Sequence, residues 1–159
     1  MALYTVGHSN RSIDDFIALL QAYGIDHLID IRAIPYSSYN PQFNRDDLAR
    51  DLARAGIAYS HNQTLAGEPP DRATMKRAVR CSDRSRNYAA YTETEEYRAE
   101  LADQIAALTA DQNVALMCGE KKPDHCHRYV TAGTFENQGV HVSHIVDEQT
   151  ILPHQPTLF

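Results

Sequence analysis

The chain is short of the features that mark several whole classes of protein. It has three cysteines in 159 residues, an odd count that rules out a fully paired disulfide framework and suits a reducing cytosol. No apolar run approaches the roughly 18 residues that a membrane span needs. The first residues lack the basic, apolar, small-residue order of a signal peptide and read directly into a strand. Positive charge is also scarce. With 15 Lys and Arg against 21 Asp and Glu, the net charge is −6, which speaks against nonspecific coating of DNA. These absences point to a cytoplasmic protein without membrane association. The remaining composition, 43% hydrophobic and 23% charged, suits one globular domain, and a chain of this size buries about 70% of its unfolded surface without a staple.

The cations are unevenly placed. Between Asp71 and Tyr88 lie Arg72, Lys76, Arg77, Arg80, Arg84 and Arg86 against two aspartates, a local +4 that leaves −10 for the rest. Arg72, Lys76 and Arg80 recur every fourth residue, so a short helix there would carry a basic stripe. That stripe is either a solvated face or a phosphate contact.

Periodicity alternates strands with helices. Leu3–His8, His27–Arg32, Ala58–His61, Asn113–Cys118 and Val140–Val146 are short apolar or β-branched runs of strand length. Ser12 with Asp15 opens a helix whose face is Ile13, Phe16, Ile17 and Leu20, stopping at Gly24. Asn44 opens a second, with Leu48 and Leu52 as its stripe and Gly56 at its end. Thr92 with Glu95 forms a capping box before Tyr97, Leu101, Ile105 and Leu108, and a last helix spans about Asp124 to Asn137. The expected fold is α/β: one three-layer α/β/α domain with a mostly parallel, Rossmann-like sheet. Residues 1–150 form it, with the basic insertion at about 67–88, and 151–159 read as an extended C-terminal tail.

Open parallel sheets bind ligands beyond the carboxyl ends of their strands. Here those ends carry Gly7-His8-Ser9-Asn10-Arg11, Asp30-Ile31-Arg32, His61-Asn62-Gln63 and Cys118-Gly119-Glu120, followed by Cys126-His127-Arg128 at the next helix. The polar residues gather on one rim. At this point the sequence resembles the bacterial and archaeal "domain of unknown function 488" family. The matching pieces are YTVGHSNRS, LIDIRAIPYS, the Asn40–Asn44 segment NPQFN, and ALMCGEKKPDHCHR from Ala115 to Arg128. The resemblance implies a compact three-layer α/β domain and no particular reaction. The family's motif usually has Ala where this chain has Gly119. A looser similarity to rhodanese and cysteine-phosphatase loops rests on Asp30-x-Arg32 and a strand-end cysteine. In those loops an arginine closes the cradle about five residues after the nucleophile, whereas Arg128 follows Cys118 by ten.

Each candidate has two readings. Cys118 is either a small buried hydrophobe or, like Cys126, a thiol activated by a helix terminus with His127 and Arg128. Cys118, His125, Cys126 and His127 are also ligand types that zinc accepts, but consecutive helical residues point about 100° apart and the spacing is poor. Ser9 and Asn10 suit ligand hydrogen bonds or a turn before the first helix. Asp30 and Arg32 alternate to one side of a strand, so they either pair with each other or act separately, Arg32 as an anion clamp. Cys81 has no assigned role.

These residues together describe an enzyme acting on an anionic substrate, a nucleotide or a nucleic-acid component. Arg32, Arg128, Ser9, Asn10 and the Arg72, Lys76 and Arg80 stripe would bind it. Cys118 and Cys126 would carry or support the chemistry, with Glu120, His8 or His127 moving protons. The alternatives are a noncatalytic metal- or nucleic-acid-binding module and rhodanese-like sulfur transfer. The last five residues, Gln155-Pro156-Thr157-Leu158-Phe159, resemble the peptide by which bacterial polymerases and repair proteins dock on the replication sliding clamp. Gln155, Leu158 and Phe159 carry the match, which implies a link to DNA repair; the bland alternative is a tail folded back onto its own sheet.

Overall fold

The computed structural model describes residues 2–67, 88–123 and 127–155. Six strands make one sheet: β1 (Ala2–Gly7), β2 (His27–Asp30), β3 (Ala58–His61), β4 (Asn113–Cys118), β5 (Val142–Ile145) and β6 (Ile151–Pro153). Their order is β3-β2-β4-β1-β5-β6. β1 to β5 pair in parallel, and only β6 runs antiparallel, against β5. The five expected strands are all present. β6 falls in the segment that Pro153 and Pro156 mark in the sequence as an extended tail; its three residues are all exposed and carry no buried-strand pattern.

Alternation along the strands feeds two cores. Ala115 and Met117 of β4 join Val6, Leu28 and Ile145 beneath α1 (Ile13–Ala22) and α2 (Arg45–Arg54), which contribute Phe16, Leu19, Leu20, Leu48 and Leu52. Val114 and Leu116 face the other way with Leu3, Ile29 and Val142. They pack on α3 (Gln63–Ala66), α4 (Glu95–Ala107) and α5 (Arg128–Glu136) through Leu65, Tyr97, Leu101, Ala132 and Phe135. The result is the three-layer α/β arrangement that apolar strands with helices on both faces require.

Local chemistry corrects one helix start. Ser12 caps α1 as expected, accepting the Asp15 N–H at 3.1 Å. The cap of α4 is Thr94 rather than Thr92. The Thr94 hydroxyl oxygen accepts from the Tyr97 N–H, while the Thr92 hydroxyl donates to the Ala89 carbonyl and closes the preceding turn. Asn44 stands at the N-cap of α2, yet its side-chain oxygen reaches back to accept from the Ser37 N–H at 2.7 Å. The described part of the last helix begins at Arg128.

One glycine fixes the rim. A Cβ on Gly7 would sit 1.6 Å from the Glu120 carbonyl oxygen, so the backbone after β4 can cross the end of β1 only if position 7 has no side chain.

Candidate functional site

β1 and β4 end side by side, with Gly7 opposite Cys118 in the register. Beyond the strands, the His8 N–H donates to the Cys118 carbonyl at 2.9 Å and the Ser9 N–H to the Gly119 carbonyl at 3.0 Å. The Ile31 N–H donates to the Met117 carbonyl at 3.0 Å. The segments after β1, β2 and β4 are therefore stitched together, and their side chains share one rim.

On the α1–α2 side of the sheet the rim holds a closed polar network. Asp30, fully buried, receives the Arg32 Nε–H on Oδ1 at 2.9 Å and Arg32 Nη2 on Oδ2 at 2.7 Å. The Tyr59 hydroxyl donates to the same Oδ2 at 2.6 Å. Arg32 Nη2 also donates to the Phe43 carbonyl at 2.7 Å, and Nη1 lies 3.4 Å from His8 Nε2. Burial, reinforced by the Asp30 charge, pushes the Tyr59 phenol well above its ordinary value.

His8 completes this network. Ser9 adopts a left-handed backbone, φ 55°, and its carbonyl oxygen lies 2.7 Å from His8 Nδ1. A carbonyl can only accept, so the proton resides on Nδ1 and Nε2 keeps its lone pair. The ring stacks on Phe43 with centroids 4.4 Å apart and is 5% exposed. Burial is the main cause that lowers its pKa to about 4, and the Arg32 charge adds to it, so the ring is neutral at pH 7.

The α4–α5 side is different. Arg128, at the start of α5, has no solvent exposure. Nη2 donates to the Lys121 carbonyl at 2.9 Å. Nε and Nη1 have no hydrogen-bond partner, and no carboxylate pairs with the guanidinium among the described residues. Its charge adds to burial in lowering His144 to about 3, and burial, with a smaller contribution from Arg128, depresses Arg11, whose guanidinium donates to the Gly7 and Val146 carbonyls. A buried charge normally has a partner, since stripping its hydration costs several kcal/mol.

His127 Nε2 is bonded to the Ile31 carbonyl at 2.9 Å and its ring meets Tyr88 edge-on at 4.9 Å. The Tyr88 hydroxyl lies between the Leu65 carbonyl and the Thr131 hydroxyl. Cys118 is 1% exposed, with its sulfur 3.7 Å from the Glu120 carbonyl.

The structure thus gathers His8, Arg32, Cys118, His127 and Arg128 at one rim. Ser9 is half-buried beside them; Asn10 and Glu120 are exposed. Arg32, expected as an anion clamp, has its guanidinium engaged within the chain. Asp30 occupies Nε and Nη2, the pairing that strand alternation allowed. His125, Cys126, Arg72, Lys76, Arg80, Cys81, Leu158 and Phe159 lie outside the described residues. Gln155 is exposed, and its carbonyl accepts from the Tyr129 hydroxyl at 2.5 Å. Among the described residues no group of three or more His, Cys, Asp or Glu is placed to hold a metal. Arg11, Phe43 and Tyr59 were missed. Arg11 stands at the end of the polar string after β1 and Phe43 within the NPQFN piece, whereas Tyr59 has no signal in the sequence.

A three-layer α/β domain with charged and imidazole side chains at the carboxyl rim of its parallel strands is a class defined by architecture. Within it, the profile of the domain of unknown function DUF488 matches residues 12–135. The chain belongs to that family. Searches of curated proteins and of solved structures return no match.

Proposed function

We propose that the chain is an enzyme whose substrate is an anion, a nucleotide or nucleic-acid component, bound at the β1–β4 rim with Arg128 as its anchor. One observation carries this reading: a guanidinium with no exposure, two of its three nitrogens lacking partners, and no counter-ion among the described residues. A bound oxyanion supplies the missing acceptors and the missing charge together.

His8 is the group suited to accept a proton, because Nδ1 is committed and Nε2 is not protonated. An anion at the rim offsets the guanidinium fields that add to burial in lowering its pKa, and so raises it towards working pH. Cys118 and Cys126 are assigned to support of the chemistry, with Glu120 and His127 as further proton carriers. Rhodanese-like transfer is less well supported, because it needs an accessible sulfur and Cys118 is 1% exposed. Gly67 and Tyr88, the described residues on either side of the basic insertion, lie close to each other: a Cβ on Gly67 would lie 3.6 Å from the Tyr88 ring, which in turn touches His127. Arg72, Lys76 and Arg80 are therefore assigned to phosphate contacts. Gln155, Leu158 and Phe159 are assigned to a replication sliding clamp, tested by clamp binding of the intact chain and of one lacking residues 155–159.

The anchor is tested by thermal unfolding in a series of phosphate and adenosine monophosphate concentrations. Ligand raises the melting temperature of the wild type by mass action and leaves Arg128→Met unmoved. A wild type indifferent to every anion tried, or a variant that responds equally, overturns the reading.

A further inference from the structure

The segment between β2 and α2 holds aromatic rings out in water on a backbone that is tied down. Ile34 is 43% exposed, Tyr36 55% and Tyr39 93%. Neither tyrosine ring packs on another ring, and neither hydroxyl has a partner among the described residues. The backbone beneath them is nonetheless tied at positions 35, 37, 39 and 40. The Pro35 carbonyl accepts the Arg45 N–H at 3.0 Å, and the Ser37 N–H donates to Asn44 Oδ1 at 2.7 Å. The Ser37 hydroxyl oxygen accepts both the Tyr39 and the Asn40 N–H at 3.2 Å. The segment ends in Phe43, buried against the His8 ring and giving its carbonyl to Arg32, and Gln42 donates to the Arg11 carbonyl at 2.8 Å.

From this geometry we infer that the 34–39 segment is a stacking arm of the rim site, and that its ligand is a single-stranded nucleic acid whose bases lie on Tyr36 and Tyr39. The inference rests on the anionic-substrate reading above and specifies what the anion belongs to. Three observations favour this occupant. First, the arm is continuous with the site through Phe43, His8 and Arg32. Second, residues 33–44 contain no charged side chain in a chain of net charge −6; the exposed Arg45 follows them, ahead of Asp46 and Asp47, while Arg32 before them is buried on Asp30. Phosphates thus meet no acidic residue within this stretch. Third, Tyr36 and Tyr39 are exposed whereas Arg128 has no exposure, so a ligand that meets both carries more than the anion held at Arg128. Duplex bases hide their faces in their own stack, whereas unpaired bases offer them to any aromatic ring. Because the backbone is already ordered, little freedom is lost on binding.

The test uses the full chain and a short fluorescein-labelled oligodeoxythymidine, read by fluorescence anisotropy, with phosphate-induced thermal stabilisation measured on the same preparations. The double variant Tyr36→Ala/Tyr39→Ala should bind the strand roughly tenfold or more weakly, while its response to phosphate stays that of the wild type. Tyr36→Phe/Tyr39→Phe keeps the ring faces and should bind nearly as the wild type does. The same sequence as a duplex should bind less well than the single strand. Unchanged affinity in the alanine variant, an equal loss in the phenylalanine variant, or equal binding of duplex overturns the stacking arm. So does conversion of an oligomer to a monomer by the alanine variant, which would assign the rings to a second copy. A wild type that responds to phosphate but ignores the strand overturns the arm and leaves the anchor standing. Silence towards both overturns the two together.

Discussion

Two arginines stand buried at the same rim and are treated in opposite ways. Arg32 is saturated, with two nitrogens on Asp30, one of them shared with Phe43, and the third facing His8. Arg128 makes one hydrogen bond and has no counter-ion among the described residues. Desolvation penalises both guanidiniums, but among the described residues only Arg32 finds partners that recover the loss. The contrast separates two uses of one residue type. A saturated buried cation ties strands and loops together, whereas an unsaturated one leaves its free energy to be recovered when something else arrives.

Substitutions that break this contrast are expected to act with different sizes and signs. Asp30→Ala strands the Arg32 charge in the core and should destabilise the fold by about 3–5 kcal/mol in chemical denaturation. A loss under ~1 kcal/mol would mean that the network is ornamental. Next in size is pH. The unfolded His8 ring takes a proton near pH 6.5 and the folded one only near 4, so between these values the unfolded chain binds more protons. Stability is therefore full above pH 6.5 and falls towards pH 4 by about 3 kcal/mol from this residue. His144 adds to the loss in the same direction. Unfolding free energies of the wild type and His8→Phe across this range isolate the contribution, and parallel curves would refute it.

Arg128→Met should behave in the opposite sense to Asp30→Ala. Replacing an uncompensated buried cation by an apolar side chain of similar length should stabilise the ligand-free protein by about 1–3 kcal/mol, read as a higher melting temperature. If the variant is destabilised as strongly as Asp30→Ala, the two arginines are alike and the contrast fails. The smallest effect belongs to Gly119→Ala. The added methyl would lie 3.4 Å from His8 Nε2, so stability should change by less than ~1 kcal/mol while the His8 titration shifts in NMR. A large destabilisation would show that the rim has no slack at this point.

Much of this fold was legible because its information is local. Five strands appeared as apolar runs, and α1 was announced by Ser12 three residues before Asp15. Thr92 and Thr94 stand two residues apart with equal capping chemistry, and only the turn at Ala89 decides between them. The site was legible as a set of places, since parallel strands deliver whatever follows them to one rim. The condition of each side chain was not legible. Asp30-x-Arg32 announces its own pairing through strand alternation, but the isolation of Arg128 depends on which residues fail to approach it. The share of Asp30 taken by Tyr59 depends on how β2 and β3 lie together. Both are non-local facts that spacing does not encode.

The first turn of α5 has a consequence for how this family can change. His127 is bonded to the end of β2, Arg128 to the loop after β4, and Tyr129 to the backbone at Gln155, with its ring against His144 and His154. Three consecutive residues thus serve three separate parts of the chain. Each of them can be exchanged at a local cost. A single inserted or deleted residue ahead of them, passed into the helix, would rotate all three by about 100° at once, and every one of those attachments would be lost. Lineages of this domain should therefore accumulate substitutions at positions 127–129 while the spacing from Cys118 stays constant.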